Sequence, residues 1–109
     1  MKIAARTLHI QTDAIPTPVQ IVVNAPVSDN GAWACEFVIG WPEGDFTFRA
    51  MGLDAVQALS IALGRIAYQL YMSPHHAAGT LYFERPGTGY GFRLPSHIRH
   101  LAIGDDRDL

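Results

Sequence analysis

The stretch that decides the fold begins Trp33-Ala34-Cys35-Glu36-Phe37-Val38-Ile39-Gly40-Trp41, turns through Pro42-Glu43-Gly44-Asp45, and continues Phe46-Thr47-Phe48-Arg49-Ala50. Trp33, Cys35, Phe37, Ile39 and Trp41 alternate with smaller or polar residues, the period of a strand with one buried face. Phe46 and Phe48 repeat that period across a tight turn, so the two runs predict an antiparallel hairpin. A helix follows at once. Leu53 precedes a capping Asp54, and Gln57 three residues later forms a variant of the reciprocal capping box. The body runs over 55–71, with its polar residues gathered in a narrow stripe of Gln57, Ser60, Gly64, Arg65 and Tyr68. Most of its circumference is apolar, and one sheet covers only one side of a helix. Further cover is therefore expected from the C-terminal segment or from a second copy of the chain, as a homodimer.

Upstream, residues 2–11 read as a strand whose apolar phase slips from Ile3 and Ala5 to Leu8 and Ile10, as a bulge would produce. Residues 12–18, with Pro16 and Pro18, read as a loop, and 19–23 as a second strand. Ser28-Asp29-Asn30-Gly31 signals a hairpin turn. Downstream, Pro74 ends the helix, and 81–85 and 90–94 read as a second hairpin across Pro86-Gly87-Thr88-Gly89. Ser96 is placed to cap a short last helix over 97–103, and 104–109 reads as a frayed polar tail. The expected fold is α+β: an antiparallel sheet of five or six strands, in the order ββββαββ, packed on one long helix as one domain over 1–109.

The chain has 109 residues, 8 Lys+Arg against 10 Asp+Glu, and 49% hydrophobic residues, which suits a folded domain and not a disordered one. One Lys and seven Arg are scattered without a basic stripe, so nucleic acid is not an expected partner. Residues 53–72 approach membrane-spanning length but carry Asp54, Gln57, Arg65 and Gln69, each costly in hydrocarbon, so no membrane association is expected. Arg6 interrupts the N-terminal apolar run before a signal sequence can form. Cys35 is the lone cysteine and cannot form an internal disulfide, which points to a reducing cytoplasm.

Candidate chemistry is sparse. His75 and His76 are adjacent after the helix, and His97 and His100 are spaced to share a helix face. A metal site would require further ligands, and the sequence offers no second cysteine and no His-Glu-x-x-His pattern. Gly87-Thr88-Gly89-Tyr90-Gly91 leads into an expected strand, where phosphate-binding loops lead into a helix, so it reads as a turn. Cys35 reads as a packed core residue because no neighbouring cation would lower its thiol pKa. Asp54 and Gln57 are accounted for by capping. No catalytic residue, cofactor or metal ligand is assigned. Tyr82, Arg85, Tyr90 and Arg93 have the aromatic and arginine composition of a protein interface, with Glu43 and Asp45 as an acidic rim. The leading expectation is a non-enzymatic protein-binding module using those four residues. The alternative is a small ligand-binding protein or enzyme with its pocket near the helix ends, using His75, His76 and Asp54.

The segments Gly31-Ala32-Trp33-Ala34-Cys35-Glu36-Phe37 and Gly52-Leu53-Asp54-Ala55-Val56-Gln57-Ala58-Leu59, with Leu81-Tyr82-Phe83 downstream, resemble a family of short bacterial proteins described as a domain of unknown function. The resemblance rests on the Trp-x-Cys strand and the Gly-x-Asp-x-x-Gln-Ala-Leu helix start. It implies a bacterial cytoplasmic protein and transfers no catalytic residue. The layout is also similar to small antagonist proteins that neutralise bacterial toxins, an analogy of architecture that implies an immunity or accessory role.

Overall fold

The computed structural model describes residues 1–109 and bears out the α+β architecture. Strands β1 (Lys2–Ile10), β2 (Thr17–Asn24), β3 (Val27–Asp29), β4 (Ala32–Trp41) and β5 (Gly44–Gly52) precede helix α1 (Ala55–Tyr71), a single turn α2 (Pro74–Ala77) and strand β6 (Leu81–Tyr82). Two 3-10 helices close the chain at Ser96–Leu101 and Gly104–Asp108. The six strands form one antiparallel sheet in which β4 lies between β5 and the β2–β3 lane, β1 pairs with β2, and β6 pairs with β1. Asn30 and Gly31, between β3 and β4, have φ of 50° and 83°, the left-handed pair that matches a two-residue turn to strand twist. The first strand has a register shift, but between Lys2 and Ala4; pairing is unbroken from Ala4 to Ile10, so the slip expected between Ala5 and Leu8 is absent and Ile3 and Ala5 face outward instead.

Alternation does what the pattern demanded. Leu8, Ile10, Val19, Ile21, Val23, Cys35, Phe37, Ile39 and Ala50 turn inward, while Glu36, Thr47 and Arg49 face out. Helix α1 lies against the β4–β5 half and buries Ala58, Ala62, Ile66, Ala67 and Leu70. Its small residues let the backbone approach the sheet, and Phe37 at 0% exposure fills the space between; truncating such a ring costs about 3–5 kcal/mol. The β1–β2 half is roofed by Tyr90, Leu94, Ile98 and Ala102, which join the same core. The C-terminal segment is thus a structural layer. It supplies part of the cover α1 requires, although Val56 and Leu63 stay exposed. No helix is long and apolar enough to cross a membrane.

Three local expectations are corrected. The hairpin over 81–85 and 90–94 does not form: β6 has two residues, and beyond it there is only a bridge between Phe83 and Arg85 around Glu84 at φ 61°. The reason is competition for backbone groups. The carbonyls of Tyr90 and Gly91 accept from Arg6, and their N–H groups donate to Asp106, which takes these two residues out of any ladder at the start of the expected second strand. The sixth strand is instead β3. The last helix is 3-10, begins after Pro95, and has no side-chain cap from Ser96. The tail expected to fray forms a 3-10 turn because Asp106, at 0% exposure, pins it into the core.

Candidate functional site

Two charged groups organise the C-terminal segment, and both act on backbone. Arg6 on β1 donates from Nη1 to the carbonyls of Tyr90 and Gly91 at 3.0 and 2.9 Å. Its guanidinium also lies 4.7 Å from the Phe83 ring centre and 4.9 Å from that of Phe92. From the other side the Asp106 carboxylate accepts the N–H groups of Tyr90 and Gly91, both at 2.8 Å, and the Tyr71 hydroxyl at 2.7 Å. The glycine-rich loop therefore does cradle an anion, and the anion is the chain's own. Gly89 has φ 91°, and a Cβ there would come within 2.5 Å of the Asp106 carboxyl group. Tyr71 also accepts the Ile103 N–H at 3.1 Å.

Burial, with the Asp106 charge adding to it, raises the Tyr90 phenol pKa well above its ordinary value. The phenol stays protonated, and its hydroxyl shares a hydrogen bond with Nδ1 of His76. Burial also lowers the pKa of His76, which favours the neutral imidazole. Asp106 links Tyr71 to the Tyr90 backbone, and the Tyr90 hydroxyl meets His76, a hydrogen-bonded chain that docks the tail.

Beside this cluster runs an open groove of about 1080 Å³ between α1, the β1–β2 strands and residues 91–99. Its apolar lining comes from Ile21, Val23, Leu63, Phe92, Leu94 and Pro95, and its polar lining includes Ser60, Ser96 and Tyr68. Around it stand Arg6, Arg65, Arg93, His97 and Arg99, and no aspartate or glutamate lines it. Four of the seven arginines of a chain with net charge −2 therefore converge on one groove. Arg65 spans the Phe48 and Tyr68 rings at 4.3 and 5.5 Å. Its Nε and the Nη1 of Arg99 are buried without a hydrogen-bond partner. Guanidinium groups so placed suit planar anions, which they bind through paired hydrogen bonds. Neither Ser60 nor Ser96 is hydrogen-bonded to a base, the arrangement a nucleophile needs.

The residues singled out by sequence scatter over the molecule. Arg93 is exposed and lines the groove. Tyr82 is half-buried on β6, opposite His9 and stacked on it at 5.8 Å. Arg85 is exposed beside a small second cavity. Tyr90 is 1% exposed and belongs to the core. The four do not share a surface, because the hairpin that would have aligned them is absent. His75 and His76 also part company: His75 bonds Glu43 at 3.0 Å and stacks on Trp41 at 5.3 Å, while His76 turns inward to Tyr90. The bond from His75 lowers the Glu43 carboxyl pKa. Neither histidine lines the groove, and no group of three metal-ligating side chains is assembled. Asp54 caps α1 by accepting the Gln57 N–H at 2.8 Å, while Gln57 accepts from Leu53. Cys35 is a buried free thiol whose pKa is raised by burial. Sequence reasoning missed Arg6, Arg65 and Arg99, which lie up to 93 positions apart, 99 − 6, and show no local pattern; of the His97 and His100 pair that it weighed, only His97 lines the groove.

Fold and groove together define a small α+β sheet-and-helix protein with an arginine-lined cleft. The chain belongs to the family described as a domain of unknown function (DUF6968), whose model matches residues 4–94. That span includes Arg6, Arg65 and Arg93 and ends before His97, Arg99 and Asp106. No curated protein and no solved structure matches the chain.

Proposed function

We propose that this protein is a non-enzymatic binding module of immunity or accessory type, and that its groove receives an acidic, partly apolar segment of a partner protein. The observation that carries the reading is the one-sided charge of the cleft: four arginines and His97, no carboxylate, and an apolar lining in a chain whose overall charge is negative. A peptide with carboxylates at its flanks and an aliphatic side chain between them complements both parts. The ten carboxylates elsewhere on the chain disfavour a long polyanion such as nucleic acid, which extends beyond the cleft. A reducing cytoplasm is part of this reading, supported by the buried thiol of Cys35.

A peptide array probed with the purified chain tests it. Bound sequences are expected to be enriched in Glu or Asp next to Leu, Ile or Phe. For one such peptide, Arg65→Gln is expected to weaken binding about tenfold, the loss of one charge-assisted hydrogen-bond pair. An array with no acidic preference, or tighter binding of a single-stranded oligonucleotide than of any peptide, would overturn the proposal.

A further inference from the structure

We infer that two copies of this chain join edge to edge along β5, in antiparallel register about a two-fold axis at Thr47. This inference does not rest on the proposed function, although Arg65 of the groove stacks on Phe48 of β5. Strand β5 is nine residues long and pairs only with β4, so its second side is open. None of the backbone hydrogen bonds made outside helices and ladders reaches Gly44–Gly52. The opposite margin of the sheet is partly covered, with β6 paired to His9 and Ile10 and the C-terminal segment tied to the Arg6 side chain. Open edges are normally blunted by Pro, Lys, a bulge or short length. β5 has none of these. Its register to β4 is unbroken from Trp33 opposite Gly52 to Trp41 opposite Gly44.

The side chains of β5 complement their own copy. With Thr47 facing Thr47, Asp45 of each copy stands opposite Arg49 of the other, and Phe46 stands opposite Phe48. Directly paired residues share a face, so both ion pairs form on the outer face and both aromatic pairs form on the helix face. Moving the axis to Phe48 would place Asp45 opposite Met51; moving it to Phe46 would place Asp45 opposite Thr47. Both alternatives lose the ion pairs.

The groups involved have capacity to spare. Asp45 has no ion pair within the chain and only Gly40 opposite it on β4. Arg49 commits Nη1 to Asp29 at 2.7 Å, and its remaining nitrogens make no hydrogen bond. Phe46 and Phe48 are half-buried and stacked at 6.5 Å, so each has ring surface for a partner to cover. The pairing is isologous and closes after two copies, giving one continuous sheet with both helices on the same side.

Sedimentation velocity of the full chain from low micromolar to millimolar concentration tests the pairing. Wild type is expected to dimerise, and Asp45→Lys and Arg49→Glu are each expected to weaken dimerisation at least about tenfold, since each sets like charges opposite one another twice. Mixing the two variants restores opposite charges at both positions, so an equimolar mixture is expected to form a heterodimer. This arm also separates lost pairing from lost folding, because misfolded chains would not recover on mixing. A wild type that stays monomeric, single variants that dimerise as wild type does, or a mixture that fails to associate would each overturn the inference.

Discussion

The anchor at Asp106 and the groove at Arg65 and Arg99 border the same C-terminal segment, and the fold treats their charges in opposite ways. Asp106 is wholly buried and its carboxylate is saturated by two backbone N–H groups and a phenol. The groove arginines ring an open cleft with no carboxylate, and two of their nitrogens find no partner. A buried charge must be satisfied when the chain folds, or folding fails. The groove guanidinium groups are only partly buried, so water solvates the rest of each group and the counter-charge can wait until another molecule brings it. The anchor is therefore structure, and the groove is the candidate for binding.

The sharpest way to break this contrast is Asp106→Ala. It strands three donors and frees the tail, and a loss of about 3–5 kcal/mol is expected in urea denaturation. A loss below about 1 kcal/mol would mean that the carboxylate does not hold the tail.

The pH dependence of stability gives a smaller effect. Burial lowers the pKa of His76 in the folded chain, so on acidification the unfolded chain takes up a proton first. The His76 contribution is therefore complete above the ordinary imidazole value of about 6.5 and declines as pH falls below it towards the lower folded value. Thermal melts across this range should show a steeper acid loss for wild type than for His76→Asn. Parallel curves would remove His76 from the cluster.

The smallest change is expected from Arg93→Gln in the groove. Its side chain is exposed and hydrogen-bonds to nothing in the chain, so stability should hold within about 0.5 kcal/mol while affinity for an acidic peptide falls. Equal losses of stability and affinity would erase the distinction between anchor and groove.

Legibility followed the range of the interactions. The β4–β5 hairpin and α1 could be read because alternation, turn chemistry and capping act within a few residues, and α1 spans the predicted 55–71. The second hairpin misled because its residues do favour strands; Arg6, 84 positions from Tyr90, and Asp106 took the backbone groups the ladder needed. Tyr90, expected on the surface, accordingly lies in the core. The glycine loop reads as a turn from its local context, and no local signal names Asp106 as the carboxylate that its N–H groups hold.

Sequence by itself determined the α+β class, the inward face of the β4–β5 hairpin, the extent of α1 and the packing of Cys35, since periodicity and capping are local and carry their own hydrophobic driving force. Tertiary structure alone decided where the charges went. Which arginine meets which carbonyl, which aspartate fills which loop, and which cations are left around a cleft depend on distances between elements far apart in the chain, and electrostatic pairing reads those distances and not the order of residues.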